Sequence, residues 1–420
     1  MLLGLMLLAC SGSLTEVPAE AASSPRADTA EPGDTGGDDT GEPSALPEWT
    51  LLIFVNGDND LEAPALADFN EMERVGSTPE INVLVQLDRS ERYARADGDW
   101  SGARRYLVEA DSDSESITSP VLEDLGATDS GSVQTVLDFV AWGASRWPAQ
   151  RYALILWDHG DGWSLDDNGD VASTKGISYD DGAGTGISVA AGDLTELVEG
   201  AAAVFGQPID LLGLDACNMS QWEVAWSVAT AANTMVASED YEALTGWPYD
   251  DIFVDLMAAP SMDAPALGAQ IALRFHEVPD STLSVLDLAA IPSLSTHLDA
   301  VADAMIAGGL AAETPRAAAD GAQGYDGEFS REHDLIDLLE RIEAVSVDPA
   351  VDAAAVAATE AAQSAVLTNY NRGGAVKKSQ GISIFSPSAP AMPPLYARAA
   401  WSAESRWDDL IRAAVEGGKQ

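Results

Sequence analysis

The chain has 420 residues, 69 acidic and 21 basic, with a net charge of −48 and a pI of about 4.1. A chain this acidic repels phosphate backbones, which argues against nucleic acid as a partner; its main effect is a solvated, soluble surface, with attraction of cationic partners or calcium as the alternative. The hydrophobic fraction of 46% is enough for a sizeable core, in one large α/β domain or two average ones.

Met1 to Ala9 is a short apolar run, and Leu7-Leu8-Ala9-Cys10 matches a bacterial lipobox. Residues 1–10 therefore read as a lipoprotein signal peptide that leaves Cys10 acylated at the new N-terminus. That processing would leave Cys217 as the one free thiol and exclude a disulfide between the two. After residue 10 no apolar run is long enough to span a bilayer. Residues 11–47 are rich in Ser, Thr, Gly, Pro, Asp and Glu, and cannot bury enough apolar surface to offset their ordering entropy. They are expected to be a disordered tether. Residues 48–420 are expected to form the folded domain.

From Trp49 onward, strands and helices alternate. Thr50 to Val55 reads as a strand, Leu61 to Val75 as a helix, Ile81 to Leu87 as a strand and Arg104 to Val108 as an edge strand. Ser132 to Trp147 places Val133, Val136, Leu137, Val140 and Ala144 on one helix face. Tyr152 to Trp157 is a strand ending in Asp158-His159-Gly160. A long loop and a helix from about Val189 to Phe205 follow. The strand from Ile209 then ends in Asp215-Ala216-Cys217, with a helix expected over Met219 to Ala231. Thr234 to Ser238, Thr282 to Leu286 and Gly381 to Phe385 read as strands. Ala264 to His276, Pro292 to Ile306, Glu332 to Val345 and the alanine-rich Val351 to Leu367 read as helices, and Glu313 to Glu328 as a surface loop. Continuous apolar strands alternating with helices imply a mostly parallel central sheet covered on both faces, an α/β/α sandwich.

Two strands thus deliver one reactive side chain each at their C-terminal ends, the edge where open parallel sheets build active sites. A cysteine and a histidine presented together suggest attack by a thiolate with imidazole close by. A helix beginning near Asn218 would place a partial positive charge at Cys217 and favour its anion. Gly160 would let backbone approach a substrate carbonyl, and its N–H with that of Cys217 would form an oxyanion hole. Each residue has a plainer reading: a buried cysteine is usually an inert small hydrophobe, and a histidine at a strand end is usually structural. Their pairing favours catalysis. His276, His297 and His333 fall in expected helices without metal-ligand spacing, so no zinc site is expected. Asn56-Gly57-Asp58 has too few glycines for a phosphate loop.

The blocks Leu154-Ile155-Leu156-Trp157-Asp158-His159-Gly160 and Asp215-Ala216-Cys217 resemble those of the clostripain family of cysteine peptidases, in the clan of caspases, legumains and gingipains. Ser238-Glu239 followed by Gly246-Trp247, and Gly381-Ile382-Ser383-Ile384-Phe385, add weaker matches, and the resemblance runs from about Trp49 to Pro387. It implies a caspase-like fold and a dyad of His159 and Cys217 with no necessary third member. It also implies cleavage after Arg or Lys, with Asp215 lining the pocket for the basic side chain, a role that suits a partly desolvated carboxylate. The alternative for Asp215 is a carboxylate capping the next helix. Asn218 departs from the apolar residue that many relatives carry there, a difference that bears on fine specificity more than on catalysis.

Relatives are often cut between the histidine and the cysteine. Lys175 is the only Lys or Arg between Arg151 and Arg274, which makes it the candidate autocleavage site, with an ordinary solvated lysine as the alternative. The reaction needs no cofactor, but the resemblance implies calcium. Asp166, Asn168 and Asp170 have the spacing that opens a calcium loop without the rest of an EF-hand, and Asp58, Asp60 and Glu62 are a second oxygen source. The expectation is a secreted endopeptidase, lipid-anchored through Cys10 to a bacterial membrane or surface, acting on protein or peptide substrates. Two rivals are a non-catalytic surface-binding lipoprotein of the same fold and a same-clan peptidase of different specificity.

Overall fold

In the computed structural model of the chain, which describes residues 46–163, 176–325, 332–386 and 392–417, the expected strands near residues 50, 81, 152 and 209 run as almost continuous buried segments. The described strands are Trp49–Gly57 (β1), Ile81–Arg89 (β2), Gly102–Leu107 (β3), Val121–Gly126 (β4), Arg151–Trp157 (β5), Gly176–Asp180 (β6), Thr185–Ser188 (β7), Ile209–Asp215 (β8), Ala232–Ala237 (β9), Ser281–Asp287 (β10), Glu332–Asp334 (β11), Val366–Arg372 (β12) and Ser383–Phe385 (β13). The described helices are Glu62–Glu73 (α1), Val133–Arg146 (α2), Asp193–Phe205 (α3), Trp222–Val228 (α4), Tyr249–Ala258 (α5), Ala264–Phe275 (α6), Ile291–Ala307 (α7), Thr314–Ala319 (α8), Leu335–Val345 (α9), Pro349–Ala365 (α10), Ala400–Glu404 (α11) and Trp407–Gly417 (α12).

Nine strands form one sheet in the order β12-β10-β9-β8-β5-β1-β2-β3-β4. Its five central strands, β9, β8, β5, β1 and β2, pair in parallel; the pairings beyond them on either side are antiparallel. The apolar runs are continuous because alternate side chains enter different cores. Leu52, Phe54, Leu154, Leu156, Leu212 and Leu214 join one cluster with residues of α2, α3, α4, α7, α9 and α10. Leu51, Ile53, Val55, Ile155, Trp157 and Leu211 join the other with α1, α5 and α6. A strand buried on both faces has no polar side to alternate with.

The alanine-rich α10 belongs to the fold. Val351, Ala355, Ala358, Ala362 and Ala365 are buried along it, and it packs on α7 and α9. Asp348 caps its start by accepting from the Ala350 N–H at 2.8 Å, and Pro349 occupies the first turn, where its missing N–H costs nothing.

Several expectations need correction. β3 is not an edge strand, because β4 pairs outside it. The long loop after β5 contains the β6–β7 hairpin. The third helix begins at Asp193, and the helix after Cys217 begins only at Trp222. Glu332 to Asp334 is a strand paired with β13, which places His333 in a strand rather than a helix. Chain beyond Ala365 leaves α10 to form the outer strand β12, and Glu313 to Glu328 includes the short α8. No described helix is long and apolar enough to cross a membrane. Residues from Leu46 onward cluster as one compact unit, so the last two residues of the expected 11–47 tether belong to it, with the Pro47 carbonyl accepting from the Gln150 N–H at 2.9 Å; Cys10, residues 11–45, Lys175, Asp166, Asn168 and Asp170 lie outside the described residues.

Candidate active site

β5 and β8 are adjacent and parallel, with Trp157 opposite Asp215. The two turns that carry His159 and Cys217 therefore leave the same sheet edge side by side. Asp158 N–H donates to the Asp215 carbonyl at 3.3 Å, extending the ladder past the strand ends. Gly160 makes the close approach of these turns feasible. A Cβ there would lie 2.5 Å from the Cys217 carbonyl oxygen and 2.8 Å from the Ala216 Cβ. The glycine is thus required by the Cys217 turn itself, and not only by an incoming substrate. Gly160 also bridges to Ile177 of β6, and the Asp161 N–H donates to the Gly176 carbonyl at 3.0 Å.

Asp60 meets His159, with 2.7 Å between Asp60 Oδ1 and the imidazole Nε2; both side chains are partly exposed. The loop after β1 is fixed for this contact by buried Asn59, whose amide donates to Asp158 Oδ1 at 2.7 Å and to the Tyr179 carbonyl at 2.8 Å. The Asn59 side-chain oxygen accepts from the Leu61 N–H. Asp60 was read as a cation ligand from the sequence, and its observed partner is the histidine.

The Cys217 thiol is not at a helix N-terminus. Residues 216–221 form a turn in which Asn218 takes a positive φ of 60°, and α4 starts after it. Burial pushes the thiol pKa up, against the Glu242 N–H that donates to Sγ at 3.2 Å; Asp161, Asp215 and Asp240 push it further up. One neutral donor does not outweigh burial and three acids, so the resting group is a thiol. His159 then has to act as the base during attack.

Beneath the thiol lies a narrow cleft of about 50 Å³ lined in part by His159, Cys217, Leu61, Pro64, Ala243 and Leu244. Asp215 and Glu242 reach its base. Asp215 is buried, accepts from the Tyr249 hydroxyl at 2.7 Å and faces the Glu242 carboxyl. Both carboxyl oxygens of Glu242 are buried and lack a hydrogen bond of ordinary geometry. Asp68 of α1 stands behind them, holding the Trp157 indole N–H at 2.8 Å. Gly246, at φ +60°, leaves room for it: a Cβ there would sit 2.2 Å from Asp68 Oδ2. Burial, partly offset by hydrogen bonds, moves Asp215 up to about 6. Burial and then the charge of Asp215 drive Glu242 and Asp68 well above the usual carboxylate range. Two carboxylates about 4 Å apart repel by about 4 kcal/mol at an effective dielectric of 20, so such a group does not stay fully ionised without a cation.

Glu242 and Asp68 were missed as site residues in the sequence, and Asp60 was singled out there for a cation and not for His159. The one available signal was Glu242's position between Ser238-Glu239 and Gly246-Trp247. A wider depression of about 590 Å³ lies elsewhere, lined by Asp58, Asp88, Arg92 and Asp129 among others, and carries neither cysteine nor histidine.

The set Asp58, Asp60 and Glu62 does not fit calcium. Glu62 is spent on Arg89 at 2.9 Å with both side chains fully buried, and Asp60 on His159. Among the described residues no three Asp, Glu, His or Cys side chains are grouped to hold a metal ion.

The family model described as the Clostripain family matches residues 53–413. Clostripain of Hathewaya histolytica is 27% identical over 224 residues, an alignment that covers 49% of this chain and 41% of that protein. The match thus spans less than half the length of that curated relative. A secreted C11 cysteine protease from Bacteroides thetaiotaomicron, solved with an irreversible peptide inhibitor, superposes with a TM-score of 0.63 at 20% identity, over 87% of this chain and 99% of that one. An inactive zymogen C11 protease from Parabacteroides distasonis gives 0.65 at 19%, over 88% and 99%. At these identities the structural likeness is one of fold, and it agrees with the caspase-like sandwich expected from the sequence.

Proposed function

The chain belongs to the clostripain family of cysteine peptidases, and from that premise we propose that it is an endopeptidase cleaving after Arg or Lys. The observation that carries this reading is the cleft beneath Cys217, with apolar walls and an acidic base. Leu61, Pro64, Ala243 and Leu244 suit an aliphatic stem, and Asp215 with Glu242 suits a cation at its end. An acidic or neutral polar side chain would leave the buried carboxyls uncompensated.

In this mechanism the Cys217 thiol attacks the carbonyl carbon and His159 takes its proton. The N–H groups of Gly160 and Cys217 hold the oxyanion. His159 then protonates the leaving amine as the C–N bond breaks, leaving a thioester that water hydrolyses with His159 as base. Asp60 orients the imidazole through Nε2. None of these steps calls for a cofactor. Calcium remains tied to Asp166, Asn168 and Asp170; unchanged activity and melting temperature in EDTA would remove it.

Activation by cleavage after Lys175 is part of the proposal. Its neighbour Gly176 is held against Asp161, two residues from His159, which supports a cut close to the catalytic turn. Intact-mass analysis of Lys175→Ala beside the native sequence tests it, and equal processing in both would sink the idea. Residues 1–10 and 11–45 are proposed as signal peptide and tether, with Cys10 as an extracytoplasmic lipid anchor.

The deciding experiment assays peptides bearing Arg, Lys, Asp or Asn before the cleavage point, with and without Cys217→Ala. Cleavage after Arg or Lys that disappears in the variant is expected. Cleavage only after Asp or Asn would keep the nucleophile and overturn the basic pocket. No cleavage by folded protein would favour a binding protein of the same fold.

A further inference from the structure

Asp215 and Glu242 face one another at the base of the cleft, and among the described residues no cation pairs with either. Asp215 comes from the end of β8 and Glu242 from the loop after β9. The titratable groups around them are Asp68 of α1, Tyr249 of α5, the Cys217 thiol and, at the cleft mouth, His159. The sequence holds no lysine or arginine between Lys175 and Arg274, the stretch that supplies most of this wall. On α1, the C-terminal neighbour Arg74 is engaged by Asp250 at the surface. Tyr249 gives its one proton to Asp215, and the two buried oxygens of Glu242 make no hydrogen bond of ordinary geometry, with the neutral Trp247 indole N–H turned toward them but no cation.

We propose that the free protein keeps one proton between Asp215 and Glu242, and that a basic side chain entering the cleft takes the place of that proton. This rests on the reading of the cleft as the site for Arg or Lys. The balance is simple: the carboxyl–carboxylate pair and the incoming cation become two carboxylates around one cation, and one H⁺ passes to solvent. The upward displacement of Asp215 and Glu242 described above fits a pair that cannot ionise twice unaided. The sign follows. Raised carboxyl pKa values mean that the proton is held at low pH, so a cation must compete with it there. Affinity for a basic ligand therefore rises with pH, by up to about tenfold per unit while one proton is released, and levels off once the pair ionises freely. The cleft would thus select basic side chains and at the same time make substrate capture weaker in acid, independently of the state of Cys217. Asp68, itself pushed up by burial and by Asp215, is not among the residues that line the cleft and serves the Trp157 indole.

Calorimetry of agmatine binding to the full chain, in two buffers of different protonation enthalpy, measures the released proton directly. About one proton released per agmatine near about pH 6.5, and a Kd that falls as pH rises from about 5.5 to about 7.5, are expected. Glu242→Gln should still bind agmatine, more weakly, with proton release cut to less than about half and a flattened pH profile. His159→Gln should keep the release, which separates the carboxyl pair from the imidazole proton at the mouth. Agmatine binding with no buffer-dependent heat and a constant Kd would overturn the shared proton while leaving the basic pocket intact. No agmatine binding at any pH would overturn the basic pocket, and the inference with it. The native protein decides the matter by itself if Glu242→Gln fails to fold.

Discussion

Gly160→Ala is expected to disable the enzyme while leaving it folded. The added methyl would lie 2.5 Å from the Cys217 carbonyl oxygen, 2.8 Å from the Ala216 Cβ and 3.1 Å from the Met219 Cγ. Ordinary contacts to carbon are about 3.5 Å or more, so the worst overlap is about 1 Å. The methionine can swing away, but the carbonyl and the alanine Cβ are fixed to the backbone of the Cys217 turn. The His159 and Cys217 turns must therefore part by a good fraction of an ångström. Overpacking of this kind costs about 1–3 kcal/mol of stability. At about 2–4 °C per kcal/mol for 150–250 residues, and less for a larger unit, the melting temperature should fall by only a few degrees. A displacement of about 1 Å between reacting groups costs about 100-fold in rate. A fluorogenic Arg peptide should accordingly show kcat/KM down about 100-fold in a protein that still melts cooperatively. Agmatine affinity should change little, because the cleft base is built by other residues. An alanine variant with kcat/KM within about threefold of native and an unchanged melting temperature would refute the contact between the turns and the need for Gly160.

Glu62→Ala should cost about 3 kcal/mol in urea unfolding, the low end for a broken buried pair, because the fully buried Arg89 guanidinium loses its 2.9 Å carboxylate and keeps only Asp97 at 3.9 Å and two backbone carbonyls; a loss under about 1 kcal/mol would mean that these or water suffice. Asp60→Ala should lower kcat about tenfold at constant KM, a fraction of what general acid–base catalysis supplies, with partial recovery in Asp60→Asn; unaltered kcat would show that the exposed contact does not orient His159. Because burial raises the Cys217 pKa, its alkylation by iodoacetamide should accelerate steadily as pH rises through neutrality. A plateau already reached below about pH 7 would reveal a standing thiolate instead.

The strands that build the catalytic edge were legible because they are buried on both faces, so their apolar runs need no periodicity to be recognised. β4 was not, since Val121, Leu122 and Leu125 are exposed on an outer strand with acidic neighbours, and such a segment looks like loop. β12 was absorbed into the helix before it, because Ala365, Val366 and Leu367 continue an apolar pattern while the backbone changes direction. The turn after Cys217 was hidden for a similar reason: Asn218 adopts a left-handed conformation that its residue type permits but does not announce. In the site, His159 and Cys217 stood out as rare side chains at strand ends. Asp68 and Glu242 are two acids among 69, on α1 and after β9, and nothing local distinguishes them; Asp60 stood out only as one of a run of acids after β1, which does not announce a histidine partner.

The adjacency of β5 and β8 bears on what a severed chain would look like. A cut anywhere between Trp163 and Gly176 would leave β1 to β5 on one fragment and the remaining strands on the other. The junction between the fragments would then run through the middle of the nine-stranded sheet, with β5 hydrogen-bonded to β8 and leucines from both in one core. Neither piece could leave without exposing that seam to water along its whole length. A nicked molecule would migrate as a single particle on a sizing column and come apart only in denaturant. The histidine would be carried by one polypeptide and the cysteine by the other, so the reactive pair would be shared between two chains that began as one.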